Sequence, residues 1–144
     1  MVRERSAGAV IFRKEGKEIL YLLLHYHFKT DYWDFPKGNI EAGEAEEDTV
    51  RREIKEETAI YDVKIFPNFK EKVNYFYMKN GETVFKEVVF YLAETKEADV
   101  KISHEHTGYE WVDYQIALKR LKENSKKVLA NANEFLSKSL TKWT

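Results

Sequence analysis

The stretch that decides the fold spans residues 38–60 and reads GNIEAGEAEEDTVRREIKEETAI. A glycine turn at Gly38 precedes a predicted helix from about Glu44 to Thr58. At about 100° per residue, Glu53, Glu56 and Glu57 fall within an arc of roughly 100° on this helix. The spacing therefore predicts carboxylates gathered on one side of a short helix, where they can hold a divalent metal against a pyrophosphate.

Val50 and Ile54 lie on the adjoining flank of the same helix, where they can anchor it to the core. Mg²⁺ takes oxygen ligands from one or two carboxylates and completes its octahedron with water and substrate phosphate. Three glutamates can therefore supply ligands and leave one over as a base. A solvated, Glu-rich helix face is the alternative for residues 52–57 taken alone, but the longer spacing from Gly38 argues against it.

Composition limits the class of protein. The 144 residues are 43% hydrophobic and 15% aromatic, which predicts a single globular domain over residues 1–144. Lys and Arg total 24 against 25 Asp and Glu, for a net charge of −1. This balance makes nucleic acid an unexpected partner and gives no support to bulk electrostatic binding of a membrane.

Two further absences predict a cytoplasmic location. There is no cysteine, hence no disulfide framework, and no apolar signal segment stands at the N-terminus. The longest apolar run, Ile19 to Leu24, is too short to cross a bilayer. No membrane association is therefore expected, and the sequence leaves the oligomeric state open.

The pattern of the remaining chain predicts an α/β protein of the α+β type. The predicted strands and hairpins cover Ser6–Phe12, Glu18–His27, Val63–Phe66, Lys70–Met78, Thr83–Ala93 and Tyr109–Val112. Phe28–Asp34 is predicted to be a loop. A helix is predicted over Tyr114–Leu121, a break at Asn124–Ser125, and then a C-terminal helix with Val128, Leu129, Ala132, Phe135, Leu136 and Leu140 against the sheet.

The signature in residues 38–60 resembles that of the Nudix hydrolases, enzymes that cleave a nucleoside diphosphate linked to another group. This resemblance implies the Nudix fold, a mixed β-sheet sandwiched between α-helices. It also implies that Glu44 and Arg52 form a structural pair that closes the loop around the helix. The chain departs from the family at Ala59, where the family has a glycine, which is usually explained by a left-handed C-cap. The sequence leaves open whether φ is negative or positive at Ala59.

Segments outside the signature narrow the resemblance to the diadenosine tetraphosphate hydrolase branch of this family. They are residues 6–12 (SAGAVIF), 33–38 (WDFPKG), 68–75 (NFKEKVNY), 85–94 (FKEVVFYLAE) and 103–112 (SHEHTGYEWV). The branch implies that Lys37 and Lys86 bind phosphate beside the Gly38 turn. It also implies that Tyr75 stacks on an adenine, with Tyr77 as the weaker candidate on the same strand face.

The run His104-Glu105-His106 admits two interpretations. Two histidines at i and i+2 suit a zinc site on a strand, but no third nitrogen or sulfur ligand is evident. The resemblance instead implies that Glu105 approaches the metal cluster from a loop opposite the helix as a fourth carboxylate. His104 and His106 then support the site indirectly or serve the fold.

The predicted activity is a metal-dependent hydrolysis of dinucleoside polyphosphates, with diadenosine tetraphosphate cleaved asymmetrically to ATP and AMP. Mg²⁺, with Mn²⁺ as a possible substitute, would bind at Glu53, Glu56, Glu57 and Glu105. Glu53 is the preferred base, although spacing alone does not rank the three helix glutamates. The alternatives are an RNA 5′-pyrophosphohydrolase, a nucleoside triphosphate pyrophosphohydrolase, and a nucleotide-sensing module of the same fold that has lost hydrolysis.

Overall fold

The computed structural model of the protein describes residues 1–28 and 30–141. Its elements are β1 (Val2–Glu15), β2 (Glu18–Phe28), β3 (Thr30–Asp34), β4 (Lys37–Asn39), α1 (Glu46–Thr58), β5 (Val63–Ile65), β6 (Glu71–Lys79), β7 (Glu82–Thr95), β8 (His106–Val112), α2 (Tyr114–Arg120) and α3 (Glu123–Thr141). The predicted α+β class with a mixed sheet is confirmed.

The sheet is mixed because its central strands β1 and β7 run parallel, while the strands beside them pair antiparallel. The main order is β3-β2-β1-β7-β5, with β4 on β1, β6 on β7 and β8 on β2. This register sets Glu4 of β1 and Tyr75 of β6 on either side of Lys86 in β7. It also sets Asn39 of β4 opposite Ser6.

Strand β1 is buried on both faces because its side chains alternate between two apolar clusters. Val10 and Phe12 lie in the cluster that includes the apolar face of α3. Ala9 and Ile11 lie in the cluster that includes α1. The sheet is therefore sandwiched between α1 on one side and α2 and α3 on the other, as predicted.

The C-terminal helix packs against the sheet as expected. Its buried residues Val128, Leu129, Ala132 and Leu136 all belong to the cluster on that face. The side chain of Leu140, predicted to continue this row, lies outside the described residues. Within the described chain, the helices are either too short or too polar to span a bilayer.

The prediction of a loop over Phe28–Asp34 is wrong for most of that range. Thr30–Asp34 forms strand β3, which pairs antiparallel with β2. The aromatic residues of this segment favour a strand, and they stack across it, with Tyr26 and Tyr32 at a centroid distance of 5.1 Å. The prediction gave these residues too little weight against the polar residues between them.

The predicted break at Asn124–Ser125 is also wrong, because both residues lie in the first turn of α3. The chain instead leaves α2 at Leu121, which has an extended backbone. Asn and Ser favour helix N-termini as well as breaks, since their side chains can satisfy free polar groups there. Ser125 donates its hydroxyl to Asp34 Oδ1 at 2.8 Å, which connects the first turn of α3 to the end of β3.

Helix α1 begins two residues later than predicted, at Glu46, and ends at the unusual residue of the signature. Ala59 adopts φ 57° and ψ 27°, the left-handed conformation, and its N–H donates to Lys55 O at 2.9 Å. The open question about Ala59 is thereby answered: φ is positive. An alanine methyl in this conformation crowds the backbone, whereas glycine has no such penalty.

We therefore expect Ala59→Gly to stabilise the fold by about 0.5–1 kcal/mol. Urea denaturation of both proteins would measure the difference in free energy of unfolding. Ala98→Gly is the matched control, because Ala98 is exposed and has no positive φ, so it should lose stability through chain entropy. A loss of stability in Ala59→Gly, or a loss of its activity, would contradict this account.

Candidate active site

A cleft of about 680 Å³ opens between α1, β4, β7 and the loop before β8. It brings together nine residues that the sequence singled out, namely Lys37, Gly38, Arg52, Glu53, Glu56, Glu57, Lys86, His104 and Glu105. It also contains four that the sequence did not single out, namely Ser6, Asn39, Glu41 and Ser103. Tyr75 and Glu44 do not line it.

The three helix glutamates share one side of α1 but differ in exposure. Val50 and Ile54 are buried against the sheet and hold the helix in place. The side chain of Glu57 is 4% exposed, that of Glu53 12%, and that of Glu56 58%. Glu56 is thus the most exposed of the three helix glutamates.

Glu53 lies directly against Gly38. A Cβ on Gly38 would stand 2.0 Å from Glu53 Oε1, so only glycine leaves room for this carboxylate. Burial raises the pKa of Glu53 to about 7, the negative charge of Glu57 adds to the rise, and Arg52 opposes it. A bound divalent cation would act in the same direction as Arg52, because its positive charge favours the ionised carboxylate. Glu53 therefore has the environment of a base that titrates near neutral pH.

Both carboxylate oxygens of Glu57 lie close to other protein atoms. Its Oε1 accepts a hydrogen bond from the Lys37 backbone N–H at 2.8 Å. Its Oε2 lies 2.8 Å from His106 Nε2, although the angles between these two atoms are not those of a hydrogen bond and neither has another protein partner. A buried carboxylate oxygen with no donor is costly, and the imidazole of His106 is the group placed to satisfy Oε2.

Arg52 ties the loop of residues 39–44 to the helix. Its Nε donates to Glu44 Oε2 at 2.7 Å and its Nη2 to Asn39 O at 3.0 Å. The Arg52 hydrogen bond, together with the Glu41 N–H, lowers the pKa of Glu44 to about 2. Arg52 Nη1 also reaches Glu53 at 2.8 Å and Glu56 at 3.2 Å. The same guanidinium therefore closes the loop and offsets part of the negative charge of the cleft.

The two lysines of the cleft are held differently. Lys37 Nζ donates to Asp34 Oδ2 at 2.9 Å. Burial would lower the pKa of Lys37, but the Asp34 carboxylate outweighs this effect and the pKa is raised. Lys86 Nζ donates to Asn39 Oδ1 at 2.8 Å and lies 3.4 Å from Glu4 Oε1. Burial lowers the pKa of Lys86, with Glu4 opposing the change.

Tyr75 lies outside the cleft lining but beside its lysines. It is half-buried on β6, opposite Lys86, and packs against the cluster on the α3 face. Tyr77 is engaged elsewhere, because its hydroxyl donates to Glu4 in a short hydrogen bond. Of the two strand tyrosines, Tyr75 is the one nearer the cleft lysines and not bonded to a carboxylate.

The residues around the lysines were missed by sequence reasoning. Asn39 Oδ1 accepts from both Ser6 Oγ and Lys86 Nζ, each at 2.8 Å, and Asp34 anchors Lys37. Asp34, Lys37 and Asn39 lie within a few positions of Gly38, and Ser6 lies in β1, the strand that β4 joins. Proximity in sequence to the Gly38 turn was therefore the one available signal that Asp34 and Asn39 belong to the site. It does not reveal which side chains contact each other.

The donor set fits a hard divalent cation in chemistry. Glu53, Glu56, Glu57 and Glu105 offer carboxylate oxygens to one cleft, the ligand type that Mg²⁺ and Mn²⁺ prefer. Among residues 1–28 and 30–141, however, no three His, Cys, Asp or Glu side chains lie close enough together to form a complete metal-binding site. These carboxylates would have to converge on an ion. The zinc alternative loses support, since His106 is buried behind Glu57 while His104 is exposed.

The glutamate helix, the glycine cradle and the mixed sheet define a class of protein. A model of the NUDIX domain matches residues 2–132, and the chain belongs to the Nudix hydrolase family. It is 32% identical over 143 residues to the asymmetrical bis(5′-nucleosyl)-tetraphosphatase of Rattus norvegicus, covering 92% of this chain and 95% of the relative.

Two further comparisons describe its position in the family. The crystal structure of a Caenorhabditis elegans Ap4A hydrolase binary complex matches with a TM-score of 0.82 and 32% identity, over 93% of this chain and 98% of that one. The RNA pyrophosphohydrolase of Hydrogenovibrio crunogenus is 27% identical over 155 residues, covering 96% of this chain and 92% of the relative.

Proposed function

We propose that this Nudix hydrolase cleaves diadenosine tetraphosphate asymmetrically, giving ATP and AMP, with Mg²⁺ as the cofactor and Mn²⁺ as a possible substitute. The observation that carries the proposal is that one cleft contains both the carboxylates and the lysines. Carboxylates of α1 and Glu105 lie in the same cleft as Lys37 and Lys86. A polyphosphate bridged to carboxylates by cations and flanked by ammonium groups fits such a surface.

Substrate binding is assigned to groups on the sheet side of the cleft. Lys86 supplies positive charge to the phosphates, and its position is set by Asn39 and Glu4. Lys37 contributes charge that Asp34 partly balances. Tyr75 is assigned to one adenine, since a ring stacked on a base is worth about 1–3 kcal/mol. The likeness to the rat enzyme and the nematode structure supports this substrate class.

The chemistry is a displacement at phosphorus. Water attacks one phosphorus in line, the bond to the bridging oxygen breaks, and that oxygen leaves with its electron pair on the departing nucleotide. Divalent ions bound at Glu53, Glu56, Glu57 and Glu105 would neutralise charge on the phosphate oxygens. Glu53 is assigned to take the proton from the attacking water, because it is buried against Gly38 and its pKa is raised to about 7.

The products test this proposal. Incubation of diadenosine tetraphosphate with the protein and Mg²⁺ in ¹⁸O-labelled water, followed by chromatography and mass spectrometry, should give equal amounts of ATP and AMP. The label should enter one of the two nucleotides, which identifies the attacked phosphorus. Formation of ADP alone would contradict asymmetric cleavage. Binding of the substrate without turnover would contradict the assignment of the reaction.

The second candidate is an RNA 5′-pyrophosphohydrolase, favoured by the 27% identity to the bacterial enzyme. The same glutamate helix would bind the metal in that reaction, and only the residues that line the substrate-binding part of the cleft would differ. A parallel incubation with 5′-triphosphorylated RNA decides between the two. A specificity constant for that RNA well above the one for diadenosine tetraphosphate would promote this candidate over the first.

A further inference from the structure

His106 is the first residue of β8 and is enclosed on every side. Its side chain is 0% exposed, and the edge of its ring meets Tyr26 at a centroid distance of 4.5 Å. Its backbone N–H donates to Ser103 O at 3.1 Å, and its Nδ1 lies 3.1 Å from Ser103 Oγ. The imidazole is thus the buried end of the turn of residues 103–106, which presents Glu105 to the cleft.

The other ring nitrogen faces the helix. His106 Nε2 lies 2.8 Å from Glu57 Oε2, with both side chains almost fully buried. Neither atom has a hydrogen-bond partner elsewhere in the described protein. The opposite oxygen of Glu57 is taken by the Lys37 N–H. His106 and the Lys37 amide therefore restrict the rotation of the Glu57 side chain.

We propose that His106 is a positioning residue that joins the Glu105 turn to Glu57, and so fixes the separation of these two carboxylates across the cleft. This inference rests on the proposed function, because it assigns metal binding to Glu57 and Glu105. The imidazole contacts both elements: Nδ1 lies 3.1 Å from Ser103 Oγ, and Nε2 lies 2.8 Å from Glu57 Oε2. A residue that only filled the core would need neither polar contact.

Chemistry supports this role over a simple packing role. Burying a polar nitrogen without a partner destabilises the folded state, so an apolar residue would serve packing better. Partners that orient a metal-binding side chain typically change metal affinity or activity about 10–100-fold when they are mutated. His106 is the buried residue in contact with both carboxylate-bearing elements, helix α1 and the turn of residues 103–106.

Two substitutions separate the two contacts. His106→Asn places an amide near the Nδ1 position, where it reaches Ser103 but not Glu57. His106→Gln extends to the Nε2 position and retains a donor to Glu57. We expect Mn²⁺ affinity, measured by titration calorimetry without substrate, to fall about 10-fold or more in His106→Asn. The glutamine variant should stay within about 3-fold of the original. His27→Asn, at an exposed site, is the control.

A double-mutant cycle excludes a merely structural effect. In a Glu57→Gln background, His106→Asn should cause little further loss of Mn²⁺ affinity, because the partner it acts on is already changed. Equal and additive losses would overturn the inference, as would unchanged affinity in His106→Asn. If His106→Asn does not fold, His106→Leu, which lacks both polar contacts, takes its place: an affinity reduced about 10-fold supports the role, and an unchanged affinity overturns it.

Failure of this inference differs from failure of the proposed function. Without Mn²⁺ binding or turnover in the unmodified protein, the proposed function fails. With normal Mn²⁺ binding and turnover in that protein and in His106→Asn alike, only the role of His106 fails. Thermal melting of each variant, recorded beside the calorimetry, shows whether a change in affinity follows a change in stability.

Discussion

Turnover of diadenosine tetraphosphate should fall at least about 100-fold when Glu57 is replaced by glutamine, as is typical when a strong electrostatic contact in the transition state is lost. The substitution preserves shape and keeps an oxygen for the Lys37 N–H, which Glu57 Oε1 now accepts at 2.8 Å. It removes the charge of a carboxylate that is proposed to bind the metal. Initial rates at saturating Mg²⁺ would measure the loss.

The control for this change is Glu47→Gln on the same helix. Glu47 is exposed and makes only an ion pair with Arg51, at 3.6 Å, so its loss should leave turnover unchanged. Circular dichroism should show both variants folded, because neither change removes an apolar contact. A folded Glu57→Gln protein that retains its rate at saturating Mg²⁺ would refute the assignment of Glu57 as a ligand.

The second large effect is expected at Gly38. In Gly38→Ala the new Cβ would lie 2.0 Å from Glu53 Oε1 and 2.1 Å from its carboxyl carbon. Since the far end of a side chain can rotate away, the fold should survive while the carboxylate is displaced. A shift of about 1 Å in a reacting group can cost about 100-fold in rate. We therefore expect a loss of that order in kcat at saturating Mg²⁺.

Gly108→Ala is the matched control, because a Cβ there would meet only His25 Cβ at 3.9 Å, an ordinary contact. That variant should keep its rate. A cycle with Glu53→Gln tests the cause: if Gly38→Ala acts through Glu53, the double variant should be about as slow as Glu53→Gln alone. A normal rate in Gly38→Ala would show that the position of Glu53 is not critical.

Much of the fold was predictable because its signals are local. The period of α1 places Val50 and Ile54 in the core and the glutamates on the cleft side, and both follow from 3.6 residues per turn. The strands of the second hairpin, β6 and β7, meet at Asn80-Gly81, a dipeptide that favours tight turns. Strand β3 was missed, since its pairing with β2 depends on stacking between strands.

The candidate site was predictable only in its composition. The resemblance placed Glu105 and Lys86 beside the helix, and both line the cleft. No pattern along the chain indicated that Lys37 pairs with Asp34, or that Asn39 holds Lys86. These contacts depend on where β4 joins β1 and how β7 lies beside it, which is settled by pairing between distant strands.

By itself, the sequence determined the α+β class, the glutamate helix and the set of charged residues available to the cleft, because helical and strand periods act over a few positions. Only the tertiary structure decided how those charges are used. It buries Glu57 against His106 and leaves Glu56 exposed, although the two are neighbours on one helix. The physical reason is that burial and electrostatic environment depend on the element packed opposite, here the loop before β8, which lies more than 40 positions away along the chain.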